Sequence, residues 1–324
     1  MMHTVRVSLV IPTLNGMPLL EEVLAAVDRQ PGADALERVA IDSGSKDGTV
    51  ECLKRHGFQV RVIDKNHFNH GATRDRAIAD TQGELVVLLT QDAVPADDRW
   101  LPSLIEVFED PQVAAAYCKQ IPRDDCNPFI AQRLAEWTAG RSERIDQRLG
   151  EVAFDALEPM DRLQLCAYDN VAGCVRRSAW QPVQFGERAF GEDVAFGKRL
   201  IMSGQTITFQ PASAVVHSHN RSPREEGKRI YCDHQNLRDL FDVHLVPSVS
   251  ALRQNVVWSR RQFAETVDAL GLPAAQQAEL HRWARKYALW AGLGMYLGGN
   301  SARLQRGILG WVFRMIDRSM HRGI

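Results

Sequence analysis

The chain has 324 residues, of which 45% are hydrophobic and 24% are charged, and its formal net charge is -1. This composition is typical of a globular protein with a sizeable core, and the balanced charge excludes a global attraction to nucleic acid. The sequence contains no run of about 18 apolar residues, so we predict no transmembrane helix. The six cysteines are scattered, and no apolar leader precedes the first predicted strand, so we expect reduced thiols and a cytoplasmic location.

Strands and helices alternate in the first third of the chain. Apolar runs predict strands at residues 5–11, 38–41 and 59–63, and helical spacing of apolar residues predicts helices from Pro18 and from Thr49. We expect Pro12 to end the first strand, and a third helix to run from the Gly71-Ala72-Thr73 segment to about Thr81. The alternation indicates a mostly parallel, Rossmann-like sheet.

A continuous apolar run at residues 85–89 predicts a strand that is buried on both faces. It ends in Asp92, and an acid also ends the second strand, at Asp42. Ligands of open α/β sheets bind at the carboxyl ends of the strands, where a carboxylate is able to hold a divalent cation and its diphosphate. For a single aspartate, a solvated acid in a turn is the simpler explanation of the position.

The middle of the chain carries weaker signals. We predict helices over residues 100–108 and 129–149, a strand over 113–117, and a polar loop over 150–165. A strand over 167–175 contains Asp169 and Asn170, to which the pattern assigns no role.

A second acidic position lies where a helix begins. Glu192 and Asp193 follow Gly191 at the start of a predicted helix, where negative charge is favourable and where a carboxylate is also a usable general base. Further on, His217 and His219 stand two residues apart on an extended segment and therefore point to opposite faces. One of them as a metal ligand and the other as a structural histidine is the simplest interpretation.

The tail, residues 223–324, is predicted to be helical. From Glu279 onward arginines and lysines outnumber acids, and tryptophans recur along the helices. Such helices lie on anionic membrane surfaces or form an amphipathic helical subdomain, and the sequence leaves both open. We therefore place a catalytic domain at residues 1–222 and a C-terminal helical region, with a membrane-surface or acceptor-associated role, at 223–324.

Four motifs in order, residues 10–15, 42–49, 90–92 and 191–193, resemble the inverting glycosyltransferases of family 2. The resemblance spans roughly residues 5–222 and implies the α/β GT-A fold. Residues 68–74, 89–95 and 216–219 are most similar to the rhamnosyltransferase branch of that family. The branch implies transfer of L-rhamnose from dTDP-rhamnose to a glycan or lipid-linked acceptor in bacterial surface polysaccharide biosynthesis. A lipid-linked acceptor would place the enzyme at the cytoplasmic face of the inner membrane.

The resemblance also implies roles for individual residues. Asp193 is expected to be the general base, and Asp92, with His217, is expected to ligate Mg2+ or Mn2+. Arg74 is expected to line the nucleotide or diphosphate site. The remaining residues of the expected nucleotide-sugar site are Pro12, Thr13, Asn15, Asp42, Ser43 and Gln91.

The chain departs from the family pattern at two positions. The usual D-x-D signature reads Thr90-Gln91-Asp92, so its first acid is missing and weaker metal binding is expected. Asp75 stands beside Arg74, and we assign it no role because a diphosphate would repel it unless it faces away.

Two further hypotheses remain. A UDP-sugar donor is an alternative, because thymine and uracil differ by one methyl group, worth ~1 kcal/mol. A catalytically inactive nucleotide-sugar binding protein is the other, supported by the missing acid. A dinucleotide-dependent oxidoreductase is excluded, because the first strand leads into Pro12-Thr13-Leu14-Asn15-Gly16 and not into a G-x-G-x-x-G turn.

Overall fold

The computed structural model describes residues 6–323. The chain forms two compact units, of which the first extends to Ser218 and the second begins at His219. The sequence-based boundary after residue 222 lies in the same connection, between the last strand and the helix that follows it. The first residue of the strand predicted over residues 5–11 lies outside the described residues.

One sheet organises the first unit. Its strands are β1 (Val7–Thr13), β2 (Glu37–Asp42), β3 (Gln59–Val62), β4 (Leu85–Leu89), β5 (Val94–Pro95), β6 (Val113–Ile121), β7 (Ile145–Gln147), β8 (Ala172–Arg176) and β9 (Thr206–Val216). The strand order is β3-β2-β1-β4-β8-β6-β9-β5, with β7 paired to β9. β3, β2, β1 and β4 run parallel, and β8 runs antiparallel between β4 and β6. The expected mostly parallel α/β sheet is confirmed in its first half, and β8 makes the second half mixed.

Helices cover the sheet as the periodicity predicts. The helices of this unit are α1 (Leu19–Asp28), α2 (Thr49–Arg55), α3 (His70–Ala79), α4 (Trp100–Glu106), α5 (Pro128–Leu134), α6 (Pro159–Leu165), α7 (Arg177–Val183) and α8 (Glu192–Met202). All five residues of β4 are buried, as expected for a strand covered on both faces. The expectation that Pro12 ends the first strand is wrong, because β1 continues through Pro12 to Thr13, which aligns with Asp42 of β2. The two polar loops that follow these strands therefore meet at one edge of the sheet.

Two predictions for the middle of the chain are wrong. The expected helix over residues 129–149 stops in a π turn at Ala135–Ala139, and the chain then forms β7 against β9. The expected loop over residues 150–165 contains a 3-10 turn at Phe154–Ala156 and helix α6. In the first case, residues 145–147 pair with β9, which is distant in the sequence, so the helix does not continue. Pro159 at the start of α6 is a helix-initiating signal that explains the second.

The second unit is helical. Its helices are α9 (Pro223–Phe241), α10 (Val249–Ala269), α11 (Ala274–Arg306) and α12 (Gly310–His321). Ser222 and Glu225 form a capping box at the start of α9. α9 and α11 are packed at close range, because a methyl group added to Gly294 would lie 2.5 Å from the Gly227 carbonyl oxygen. No helix among residues 6–323 carries an apolar stretch long enough to cross a bilayer.

Candidate active site

Asp42, at the end of β2, is fully buried and holds a loop together. Its carboxylate accepts hydrogen bonds from the Thr13 hydroxyl (2.9 Å) and from the backbone N–H groups of Gly44 (3.0 Å) and Ser45 (2.8 Å). The Ser45 hydroxyl donates a further bond of 2.5 Å. Four hydrogen bonds to one carboxylate fix the geometry of this strand end, so Asp42 stabilises the conformation of the loop.

The β1–α1 loop is attached to the β2–α2 loop along its whole length. The backbone N–H groups of Asn15, Gly16 and Met17 donate to the side chains of Ser45, Thr49 and Asp47, over 2.7, 2.8 and 2.9 Å. In return the Asn15 side chain accepts a bond from the backbone of Lys46. Asn15 adopts a left-handed backbone conformation, with φ of 47°, which asparagine tolerates better than most residues.

Gln91 fastens the same loop from the β4 side. Its Oε1 accepts from the Leu14 N–H (2.8 Å) and its Nε2 donates to the Leu14 carbonyl (3.1 Å). The expected nucleotide-site residues Thr13, Asn15, Asp42 and Gln91 are thus brought together. We call the structure formed by residues 13–17, 42–49 and Gln91 the loop cradle.

One buried hydroxyl in the loop cradle is not satisfied by the contacts of the described residues. Ser43 is 3% exposed, and within the described residues its hydroxyl has no hydrogen-bond partner. A buried hydroxyl without a partner costs free energy unless something binds it. Pro12 lies half-buried in β1, next to Thr13. A ribose or base group held against Ser43 would satisfy its hydroxyl, so the loop cradle fits a nucleoside.

Arg74 is buried and forms an ion pair between helices α3 and α8. Its guanidinium donates to Glu192 Oε1 over 3.0 Å, and the two side chains are only 5% and 9% exposed. Asn170 also donates to Glu192 over 3.3 Å. Arg74 therefore does not lie on a solvated helix face. Its expected contact with a diphosphate stays a prediction, while its observed contact stabilises the first residue of α8, beside Asp193.

The carboxylate of Asp75 is occupied by contacts with α7 and the segment after it, so it is not available to a diphosphate. It accepts hydrogen bonds from Trp180 Nε1 (2.7 Å) and from the backbone N–H groups of Phe185 (2.9 Å) and Gly186 (2.7 Å). Asn69 caps α3 and donates to the Arg188 carbonyl (2.8 Å). Both residues hold the segment that leads into α8, and Asp75 therefore has a structural role.

Asp92 and His217 lie together at the carboxyl ends of β4 and β9. His217 Nε2 is 3.6 Å from an Asp92 carboxylate oxygen, and its Nδ1 is 2.8 Å from Gln120 Oε1. Gln120 Nε2 donates to the Asp169 carboxylate, which identifies Oε1 as the acceptor of the His217 Nδ1–H. In the uncharged imidazole, Nε2 then presents a lone pair toward Asp92.

This arrangement fits a divalent cation. A lone pair and a carboxylate that face each other repel unless a cation lies between them or the imidazole is protonated. The hydrogen bond on Nδ1 is the usual support for a metal-ligating histidine, and a carboxylate with an imidazole suits Mn2+ well. Thr90 does not replace the missing acid, because its N–H (2.9 Å) and hydroxyl (3.4 Å) both bond to the Val171 carbonyl.

Asp193 and Asp169 are carboxylates in an environment that disfavours their charge. Burial, followed by the neighbouring charges of Glu192 and Asp169, raises the pKa of Asp193 well above its ordinary value. Burial also raises the pKa of Asp169. Asp193 remains half-buried, as a base that meets a substrate must. Clustered acids with raised pKa values are typical of catalytic sites.

Sequence reasoning did not assign the residues that connect these groups. Asp169 and Gln120 link His217 to the acids near Asp193, and Glu192 pairs with Arg74. Asp169 stands beside Asn170 at the end of an apolar stretch, a pattern like that of Asp92, but no periodicity shows that β8 inserts between β4 and β6.

Comparisons with known proteins identify the family of the chain. A family model described as "Glycosyl transferase family 2" matches residues 8–160. The chain is 31% identical over 235 residues to the O-antigen chain rhamnosyltransferase RfbN of Salmonella typhimurium, covering 70% of each protein. It is 29% identical to the O-antigen chain rhamnosyltransferase WbaN of Salmonella anatum, over 69% of this chain and 70% of that one.

Solved structures share the fold at low identity. The mannosyltransferase PcManGT of Pyrobaculum calidifontis, in complex with GDP-Man and Mn2+, matches with a TM-score of 0.50 and 18% identity, over 98% of this chain and 81% of that one. Residues 1–349 of S. aureus TarS, in complex with UDP-GlcNAc, match with a TM-score of 0.51 and 14% identity, over 94% and 93%. The expected GT-A fold is thereby confirmed, and the chain belongs to glycosyltransferase family 2.

Proposed function

We propose that this enzyme transfers L-rhamnose from dTDP-rhamnose to a glycan or lipid-linked acceptor in bacterial surface polysaccharide biosynthesis, with inversion at the anomeric carbon. The similarity to two O-antigen chain rhamnosyltransferases supports the sugar. The observation that carries the chemistry is the pairing of Asp92 with His217 in the same network of side chains as the acids around Asp193.

Nucleotide binding is assigned to the loop cradle. The unpartnered Ser43 hydroxyl supports a contact with the base or ribose, with Pro12 and Thr13 beside it. Asn15, Asp42 and Gln91 hold this surface in place through their backbone contacts. Arg74 lies in the second turn of α3, where it pairs with Glu192, and the N-terminus of this helix favours an anion, so we assign the diphosphate side of the site to this end of α3.

Asp92 and His217 would hold Mg2+ or Mn2+. A cation bound there would neutralise charge on the departing diphosphate. Thr90 leaves this site with one acid fewer than the D-x-D signature provides, so tight binding is expected only when the diphosphate also contributes ligands.

Asp193 is the proposed general base. Its carboxylate removes the proton of the acceptor hydroxyl while that oxygen forms a bond to the anomeric carbon. The bond from the anomeric carbon to the diphosphate oxygen breaks, and the electron pair leaves with the nucleoside diphosphate. A raised pKa makes Asp193 a stronger base than an ordinary aspartate once it is ionised, and general bases contribute about 10²–10⁴-fold to rates.

A lipid-linked acceptor would place the enzyme in the cytoplasm, in peripheral contact with the inner membrane. The C-terminal unit is the proposed membrane-associated or acceptor-associated part, because its helices carry exposed tryptophans and arginines.

The test is release of nucleoside diphosphate from a panel of nucleotide sugars, with Mn2+, Mg2+ or a chelator, and with lipid-linked acceptors. Metal-dependent turnover of dTDP-rhamnose alone supports the proposal. Turnover of a UDP-sugar instead would overturn the rhamnose assignment and leave the mechanism standing. Silence of the whole panel with acceptor present would favour the inactive binding protein.

A further inference from the structure

The connection between α11 and α12 exposes an unusual amount of apolar surface. α11 ends at Arg306, and Gly310 N–H bonds back to the Gly307 carbonyl over 2.9 Å, which makes a tight corner. Ile308 at this corner is 101% exposed, and Leu309, Trp311 and Met315 are 56 to 60% exposed. Single exposed apolar residues are ordinary, but a contiguous group is typical of an interaction surface.

The opposite face of α12 fixes this orientation. Val312, Phe313 and Ile316 are half-buried and Met320 is buried. The Tyr231 hydroxyl donates to Asp317 over 2.6 Å, and Gln235 donates to the same carboxylate over 2.8 Å. α12 is therefore held against α9 by its inner face, and the apolar outer residues are exposed because of that packing.

Arginines surround the exposed apolar group. Arg303, Arg306, Arg314, Arg318 and Arg322 are all exposed. The single acid of residues 301–323 is Asp317, which is half-buried and faces Tyr231. We call the surface formed by these five arginines with Ile308, Leu309, Trp311 and Met315 the corner surface.

The charge of the corner surface decides between possible occupants. A second copy of this chain would bring its own five arginines against these five, and like charges in an interface are strongly unfavourable. An anionic lipid surface matches both features, because arginines contact phosphate headgroups while tryptophan and aliphatic side chains enter the interfacial zone.

We propose that the corner surface docks the enzyme on anionic phospholipid, with Ile308, Leu309 and Trp311 inserted between headgroups and the arginines on lipid phosphates. The proposal deepens the membrane contact in the proposed function and rests on it for the biological purpose, access to a lipid-linked acceptor. The docking itself depends on exposure and charge alone.

The experiment is co-sedimentation and flotation of the full-length protein with vesicles of phosphatidylethanolamine and phosphatidylglycerol, compared with vesicles of phosphatidylcholine alone. We expect binding to the anionic vesicles only, weakened by salt. Ile308→Ser with Trp311→Ser should lower the vesicle affinity at least ~10-fold, and Arg314→Gln with Arg318→Gln should reduce both the affinity and its salt dependence.

A matched control comes from α10, where Val257 and Trp258 are 69% and 63% exposed beside Arg260 and Arg261. Val257→Ser with Trp258→Ser should retain vesicle binding. Equal losses in both pairs, or a wild-type protein that ignores anionic vesicles at low salt, would overturn the proposal. So would sedimentation velocity showing that Trp311→Ser dissolves a dimer while vesicle binding persists.

The two proposals fail separately. If the protein binds vesicles but does not turn over dTDP-rhamnose, the proposed docking surface stands and the proposed donor is wrong. If the protein turns over a water-soluble acceptor but does not bind vesicles, the proposed donor stands and the proposed docking surface is wrong. The corner-surface variants should turn over such an acceptor at the wild-type rate, because their side chains lie in the C-terminal unit and outside the proposed catalytic groups.

Discussion

The acids of the loop cradle and the acids near α8 differ in the contacts that surround their carboxylates. In the loop cradle, Asp42 receives four hydrogen bonds from its own loops. Asp47 is held similarly: burial opposes its ionisation, but hydrogen bonds from Thr49 and Met17 outweigh burial and lower the pKa of Asp47. Just before β8, burial instead raises the pKa of Asp169, and at the start of α8 burial and the neighbouring charges of Glu192 and Asp169 raise the pKa of Asp193.

This difference distinguishes the acids with a structural role from those with a proposed chemical role within one domain. An acid whose lone pairs are occupied by backbone donors fixes a loop and has little capacity left for a ligand. An acid held near other acids is ready to take a proton or a cation. The family motifs include both kinds, and only the contacts distinguish them.

The largest expected effect is on turnover. Asp193→Asn should lower kcat about 10²–10⁴-fold, because the amide does not accept the proton of the acceptor hydroxyl. Binding of dTDP-rhamnose, measured by calorimetry, should stay near the wild-type value. Asp161→Asn, an exposed acid in the same unit, is the control. Equal losses of donor binding and kcat would assign Asp193 a structural role.

The next effect is on stability. Arg74→Met leaves Glu192 buried without its cation, and should lower the free energy of unfolding by about 3–5 kcal/mol in urea denaturation. Adding Glu192→Leu removes the buried carboxylate that has lost its cation, so the double variant should be more stable than Arg74→Met alone. Strictly additive losses would show that the two side chains do not act as a buried pair.

A smaller effect is expected in the loop cradle. Gln91→Ala removes two hydrogen bonds to the Leu14 backbone, each worth about 1 kcal/mol, and should weaken dTDP binding about five- to thirtyfold with little change in kcat. Gln82→Ala, in the turn before β4, serves as the control. A fall in kcat at unchanged dTDP affinity would move Gln91 from the loop cradle to the reacting centre.

The smallest effect is on the pH profile. Since the pKa of Asp193 is raised, the base is ionised only at a higher pH than an ordinary aspartate, and activity falls early on acidification. Asp169→Asn removes a negative charge that raises this pKa, so the acid limb of kcat/KM should move to lower pH. An unmoved or upward-shifted limb would show that Asp169 does not influence the base.

Local patterns in the sequence predicted much of this molecule. The buried strand β4, the start of α8 at Glu192 and the helical tail follow from apolar runs, capping signals and composition. The family resemblance, and not a local pattern, implied that Thr13 and Asp42 line one site, and the parallel register of β1 and β2 brings them together.

Apart from α6, which has a local start signal at Pro159, the misses share one physical cause, which is contact between segments distant in the chain. β7 forms because Ile145–Gln147 pairs with β9 and the Tyr117 hydroxyl donates to Gln147 Oε1 over 2.9 Å. Gln120 and Asp169 meet because β8 runs antiparallel beside β6. Periodicity carries no information about such partners, so the support of His217 and the repulsion around Asp193 required the fold.

The most direct test of the assignment of the cation to Asp92 and His217, and not to an acid of the loop cradle, is Mn2+ binding at saturating dTDP, followed by the electron paramagnetic resonance of free Mn2+. We predict that Asp92→Asn weakens Mn2+ binding at least about tenfold, while Asp47→Asn in the loop cradle leaves it unchanged. Equal Mn2+ affinities in the wild-type protein and Asp92→Asn, or a loss confined to Asp47→Asn, would contradict the assignment of the cation to Asp92 and His217.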